Sequence, residues 1–261
     1  MKETVYLVGA GPGDPELLTV KAARLLQTAD VILHDALVSP AILALASPAA
    51  EVVNVGKRCG NKQVTQEQIN RQLVEFASRG KLVVRLKSGD PLIFGRAGEE
   101  IHALREAGIE VEIVPGITSA VAAASAARIP LTDRRYAEQV LFLSGHCAEG
   151  KESTPWNAAI SDRTTIVVYM PGDYLRVTEK LIAAGVSREM PCLILSRICS
   201  PDQHILATTV AGMSSLSRLD SPSMLIVGDV VGVHDFPDGG KASCNSSSAK
   251  MESARVLFAE Q

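Results

Sequence analysis

Thr4-Val5-Tyr6-Leu7-Val8-Gly9-Ala10-Gly11-Pro12-Gly13-Asp14-Pro15 decides how the rest of the chain is read. An apolar run of strand character meets a glycine turn, and Asp14-Pro15 has the form of an N-cap followed by proline at the first helical position. Strand, turn and helix start in that order open a βαβ unit. The glycines superficially invite a dinucleotide-binding reading, but the pattern fails. That fingerprint wants a third glycine at position 14 and no proline between the glycines, because a helix N-terminus must approach a pyrophosphate. Asp14 would put a carboxylate where the phosphate belongs, and no G-x-x-x-x-G-K-[ST] loop occurs elsewhere. The turn either redirects the chain or serves as a ligand loop.

Working outward, Thr4–Gly9, Val31–His34, Val52–Val55, Leu82–Leu86 and Val111–Val114 are strand-like, separated by amphipathic segments at 16–28, 66–78 and 97–107. This alternation predicts an α/β fold whose N-terminal domain, residues 1–131, holds a mostly parallel sheet. Thr65-Gln66-Glu67-Gln68 has capping-box spacing, and Gly80 and Gly108 sit where helix-stopping glycines belong. After Pro130, strand-like Gln139–Ser144, Thr165–Met170, Cys192–Ser196, Ile205–Val210 and Met224–Val227 lie closer together, with helices near 173–184 and 211–218. Fewer helices between strands predict a mixed sheet in a second α/β domain, 132–236, with Arg128–Thr132 as linker. The tail, 237–261, is rich in Gly, Ser, Ala and Lys; it cannot offset its ordering entropy and is expected to stay outside the fold.

Composition narrows the function. The chain has 261 residues, 46% apolar and 4% aromatic, with 26 basic against 29 acidic side chains and a net charge of −3. No global positive field exists to hold nucleic acid. Five scattered cysteines without a C-x-x-C pair argue against a disulfide framework or a zinc site and fit a reducing cytoplasm. The apolar start is too short for a signal sequence, and no apolar run is long enough to cross a bilayer. No metal is expected.

Two further segments repeat the arrangement of the first. Lys87-Ser88-Gly89-Asp90-Pro91 follows a strand at the edge where open α/β sheets bind ligands, and leads into Leu92-Ile93-Phe94-Gly95-Arg96-Ala97-Gly98-Glu99-Glu100. Each piece has an ordinary reading as well: Asp90-Pro91 as a turn initiator, Glu99-Glu100 as an acidic first helical turn. Val114-Pro115-Gly116-Ile117-Thr118-Ser119-Ala120 follows the next strand with a glycine turn and small side chains. Together the three loops outline a pocket.

G-A-G-P-G-D-P, G-K-R, R-L-K-x-G-D-P-x-I-F-G-R, V-P-G-I-T-S-A, I-P-L-T and V-V-Y-M occur in an order that resembles the tetrapyrrole methylase family over about residues 4–233. Gly56-Lys57-Arg58 and the stretch Gly89–Arg96 look like its uroporphyrinogen-methylating branch more than the later precorrin methylases, diphthine synthase or the ribosomal RNA methylases. The resemblance implies two α/β domains with S-adenosylmethionine in the cleft between them, a homodimer, and C-methylation of uroporphyrinogen III at two pyrrole carbons toward sirohaem or cobalamin. It matches Pro12, Ser88, Gly89, Asp90, Ile93, Thr118, Ser119, Met170 and Ile198 to cofactor contacts, Asp35 and Lys57 to proton transfer, and Arg96, Glu99 and Arg134 to the substrate face. The alternatives are a later precorrin or cobalt-precorrin as substrate, or a homologue that binds tetrapyrrole or S-adenosylhomocysteine without turnover.

The implied chemistry needs alignment and a dry site, then loss of a meso proton, for which Asp35 at the end of a strand is the candidate base; its ordinary reading is a cap or turn residue. Eight substrate carboxylates call for arginine forks, and Lys57-Arg58, Arg96 and Arg134-Arg135 are the local basic clusters. Arg135 is read as a solvated surface charge. The sequence departs from the family pattern at Ser88, where a glycine is usual and a Cβ would be strained if φ is positive, and at Asp133, where a histidine is usual. Leu92 and Ala97 likewise replace a usual phenylalanine and glycine. Asp133 would repel a carboxylate unless Arg134 or Arg135 pairs with it.

Overall fold

The computed structural model describes residues 4–56, 64–146, 156 and 160–232. In chain order come β1 (Thr4–Gly9), a 3-10 turn (Pro15–Leu17), α1 (Val20–Thr28), β2 (Val31–His34), α2 (Pro40–Leu43), β3 (Glu51–Asn54), α3 (Gln66–Ser78), β4 (Val83–Lys87), α4 (Ala97–Glu106), β5 (Glu110–Val114) and α5 (Ser119–Ala126). Then follow β6 (Gln139–Ser144), β7 (Thr164–Tyr169), α6 (Tyr174–Ala183), β8 (Pro191–Ser196), β9 (His204–Thr209), α7 (Val210–Met213), β10 (Ser223–Val227) and α8 (Asp229–Gly232). The chain divides into two compact units, Met1–Ser119 and Ala120–Gln261, a division ahead of the expected boundary after residue 131 that groups nearly all of α5 with the second unit.

The first unit is built on a five-stranded sheet of order β3-β2-β4-β1-β5, parallel throughout. Alternate residues serve opposite faces. Val5, Leu7, Val31, Leu33 and Val83 bury against Ile69 and Leu73 of α3 and Leu104 of α4. Val8, Ile32, Val84 and Leu86 bury against Leu25 and Leu26 of α1 and Ile42 of α2. Burial on both faces is why these strands read as continuous apolar runs.

Local chemistry sets the helix ends. Thr65 Oγ accepts from the Gln68 amide at 3.2 Å while Gln68 Oε1 accepts from the Thr65 amide at 2.8 Å, so both halves of the capping box form. Gly80 and Gly108 take φ of +71° and +73° at helix C-termini. The segment expected as one helix from 16 to 28 is two elements. Asp14 accepts from the Glu16 amide at 2.9 Å but caps only the 3-10 turn, Leu18 is extended, and a second cap, Thr19, starts α1.

The second unit carries a mixed sheet, β6-β7-β10-β8-β9, in which only β6 and β7 pair in parallel. The helix expected at 211–218 stops at Met213, where the Ser214 and Ser215 hydroxyls donate back to the Ala211 and Gly212 carbonyls at 2.8 Å. Helix α5 was not anticipated: its sequence is nearly all alanine, so it has no polar face to mark a helical period. Among the described residues no helix is long and apolar enough to cross a membrane. The tail, 237–261, lies outside the described residues.

Candidate functional site

The loops that follow β1, β4 and β5 leave three adjacent parallel strands at their C-terminal edge, so the sheet order itself gathers the glycine segments. Their backbones then join. The Ala10 amide donates to the Lys87 carbonyl at 2.7 Å, and Gly11 and Gly89 exchange hydrogen bonds at 3.1 and 2.8 Å. Asp90 completes the junction: Oδ1 accepts from the Leu92 amide at 2.8 Å and Oδ2 from the Gly116 amide at 3.0 Å. Glycine is required for the closeness of this approach. A Cβ on Gly9 would lie 2.5 Å from the Gly116 nitrogen, and one on Gly116 2.4 Å from the Gly89 carbonyl oxygen.

Pro12, Ser88, Gly89, Asp90, Ile93, Thr118 and Ser119 all fall in these three loops and are half-buried. Ser88 is not strained: the positive φ of the loop falls on Gly89, at +68°, which corrects the concern raised by the missing glycine. Phe94 and Arg96, by contrast, are held at φ +52° and +58°, a conformation costly for a side chain and concentrated at functional sites. Arg96 precedes α4, and Glu99 grips its guanidinium with both oxygens at 2.7 Å. That bond, with the Glu99 charge, raises the Arg96 pKa against the modest burial that lowers it.

Asp35 follows β2, beside β4, and is only partly a turn residue: its carbonyl accepts from the Val38 amide. Its carboxylate pairs with Arg85 of β4. Arg85 is 2% exposed and also donates from Nε to Glu100 Oε1 at 3.0 Å. Glu100 is fully buried and accepts in addition from Lys87 Nζ on both oxygens at 3.0 Å and from Gln66 at 3.2 Å. Burial pulls the Arg85 pKa down, but Asp35 and Glu100 together outweigh it and raise the value. Burial and then the neighbouring Arg85 charge lower that of Lys87 despite Glu100. This cluster was not legible in the sequence: Glu100 reads as an ordinary first-turn acid, Lys87 as the start of a loop, and Arg85 is not singled out. The available signal was two charges at alternate positions of a strand otherwise apolar on both faces.

The G-K-R segment reaches the same loop through its glycine, where a Cβ on Gly56 would lie 1.9 Å from the Ala36 nitrogen. Lys57 and Arg58 lie outside the described residues.

In the second unit, β7 and β8 both run antiparallel to β10, so their C-terminal ends share an edge. Met170 follows β7 with φ +49° and is 46% exposed; Ile198 follows β8 between Arg197 and Cys199, at φ +51° and +61°. Arg134 does not join them. Its carbonyl accepts at 2.7 Å from Arg163, the residue that precedes β7, which places it at the opposite end of that strand. Next to it, Asp133 is held by Arg135 through bonds of 3.1 and 2.9 Å, so the acid is charge-paired and Arg135 has a specific partner beyond solvation.

The donor set of the first unit fits S-adenosylmethionine. Its loops offer backbone groups, small side chains and the exposed apolar Leu92 and Phe94, with Asp14 where a phosphate ligand would need a cation. A phosphate-free ligand with a flat base and a net positive charge suits such a surface. Among the described residues no three His, Cys, Asp or Glu side chains cluster to hold a metal ion.

Comparison with known proteins agrees. Residues 4–213 match the family model of Tetrapyrrole (Corrin/Porphyrin) Methylases. A siroheme synthase of Acinetobacter baylyi is 47% identical over 238 residues, 90% of this chain and 52% of that protein; the chain thus spans about half the length of such relatives. The structure of uroporphyrin III C-methyl transferase from Thermus thermophilus superposes with a TM-score of 0.78 at 39% identity, over 88% of this chain and 100% of that one. The same enzyme complexed with S-adenyl homocysteine gives 0.77 at 39% identity, over the same shares of the two chains. Cobalt precorrin-4 methyltransferase gives 0.75 at 32% identity, over 88% of this chain and 96% of that one.

Proposed function

This chain belongs to the tetrapyrrole (corrin/porphyrin) methylase family, and from that premise we propose that it methylates uroporphyrinogen III at C2 and C7 with S-adenosylmethionine, giving precorrin-2 by way of precorrin-1. The observation that carries this reading is the likeness to uroporphyrin III C-methyl transferase over the whole of that chain, an enzyme seen with the demethylated cofactor bound.

When bound, S-adenosylmethionine supplies a methyl group already activated on a sulfonium, so this chain's task is to align the ring carbon and exclude water. Pro12, Ser88, Gly89, Asp90, Ile93, Thr118 and Ser119 serve as the cofactor-holding set of the first unit; in the second, Met170 and Ile198 stand at the positions that the family resemblance assigns to cofactor contacts. Transfer of that methyl group to a ring carbon would leave a neutral thioether and a cationic pyrrole. Asp35 takes the meso proton, whose bonding electrons become the exocyclic double bond, and the substrate is neutral again. Lys57 assists proton transfer. Arg58, Arg96 and Arg134 meet the carboxylates of the substrate; at Arg96 an incoming carboxylate exchanges with Glu99.

Association of two chains, work in the cytoplasm, and delivery of the product to sirohaem or cobalamin synthesis complete the proposal. The cysteine pattern and the naming of the longer relatives support the last two, and sedimentation velocity tests the first.

Anaerobic incubation with S-adenosylmethionine and enzymatically generated uroporphyrinogen III, followed by mass, should show a gain of two methyl groups. Bound cofactor without any gain overturns the assignment. The likeness to cobalt precorrin-4 methyltransferase makes a later precorrin the substrate to offer next.

A further inference from the structure

Arg85 is unusually committed for a residue that touches a candidate base. Its Nε donates to Glu100, and Nη1 donates to the Leu33 and Leu86 carbonyls at 3.4 and 3.2 Å. Only Nη2 is left for Asp35, and it binds Oδ1. An uncommitted guanidinium grips a carboxylate with two parallel bonds and occupies both oxygens. Here Glu100 takes one prong of that fork, and Asp35 Oδ2 has no hydrogen-bond partner among the described residues. The Asp35 side chain is 28% exposed, against 2% for Arg85 and none for Glu100, so the cluster reaches solvent at the aspartate.

We infer that Arg85, clamped by Glu100, is a positioning residue for methyl transfer: it fixes Asp35 through one oxygen and leaves the other, Oδ2, to accept the meso proton. This rests on the reading of Asp35 as the base. Lys87 belongs to the same device. It pairs with the second oxygen of Glu100 and so keeps that carboxylate anchored whether or not Arg85 is present.

Arg85→Met is the test. Methionine fills much of the same volume, the Glu100–Lys87 pair stays intact, the Leu86 carbonyl keeps the Asp35 amide as a donor, and Asp35 has water to solvate it. The substrate is uroporphyrinogen made from porphobilinogen deuterated at its aminomethyl carbon, which places deuterium at the meso positions. Binding of S-adenosylhomocysteine should stay within about 3-fold of wild type, and the KM for the tetrapyrrole likewise. The kcat should fall by about 10- to 100-fold, the range for a misplaced general base, and the deuterium isotope effect on kcat should rise above that of wild type as proton removal becomes slow. Arg85→Lys, which keeps a charge but cannot span both carboxylates, should fall between the two.

An unchanged kcat, or a fall in kcat with an unchanged isotope effect, overturns the inference, because a purely structural role lowers the amount of competent enzyme without altering which step is slow. If Arg85→Met fails to bind S-adenosylhomocysteine, Arg85→Lys is judged by the same isotope criterion; failure of both to bind assigns Arg85 to the fold and also overturns it. Asp35→Asn separates the inference from its premise: wild-type turnover in that variant removes Asp35 as base whatever Arg85 does.

Discussion

Single side chains in this protein divide into those that hold charge inside and those that present it outside. Glu100 is the anion for two buried cations, and removing one partner of such a group is far costlier than never having built it. Glu100→Gln should therefore lower the unfolding free energy by about 3–5 kcal/mol, read from urea denaturation, whereas neutralising the exposed Glu75 of a surface pair should change it by less than about 1 kcal/mol. Cys192 gives a pH signature. Burial pushes its thiol up from 9.0 to about 12, so between those values the folded chain keeps a proton that the unfolded chain has lost. The associated stability is whole below pH 9 and drains away as pH rises toward 12, at about 1.4 kcal/mol per pH unit. Wild type should lose ground to Cys192→Ala between pH 9 and 10.5; parallel curves would remove the thiol as the cause. At this scale the sequence was legible for Asp35, Ser88 and Asp90, whose positions beside strand ends follow from periodicity. It was opaque for Arg85, Lys87 and Glu100, because a buried charge is recognisable only by a partner from another element.

Elements were more readable than residues, since their boundaries answer to local chemistry. Thr65 and Gln68 declare the start of α3, whereas α5 offers alanine in every direction and nothing to count. The overlong reading of residues 16–28 has a similar origin: Asp14-Pro15 is a sound cap, but Leu18 extends and Thr19 caps again. Two substitutions separate the elements that carry stability from those that carry the site. Thr65→Ala removes one half of the capping box and should cost about 1 kcal/mol with S-adenosylhomocysteine affinity unchanged. Gly116→Ala drives a methyl group against the Gly89 backbone and should weaken that affinity at least about 10-fold by calorimetry, because neither backbone is the far end of a flexible side chain. Equal affinities for the two variants would show that the junction is not part of the cofactor site.

The molecule as a whole combines two differently built sheets. The first is parallel, so every strand delivers its C-terminal loop to one edge; the second is mixed, and β7 and β8, kept in the same direction by the antiparallel β10 between them, bring Met170 and Ile198 to a shared edge. Alternation of strand and helix made the first arrangement foreseeable. The second needed strand directions, which spacing alone does not supply, so neither the shared edge of Met170 and Ile198 nor the place of Arg134 beside the start of β7 was legible. The junction of Gly9, Gly11, Gly89, Asp90 and Gly116 has a further consequence, in time rather than in space. Three segments far apart in sequence share their hydrogen bonds there, so none can open alone. The amide protons of Ala10, Gly11, Gly89 and Gly116 should exchange with deuterated solvent at one common rate, as a single cooperative unit, and slow together when ligand is added. Four independent rates would mean that the loops breathe separately.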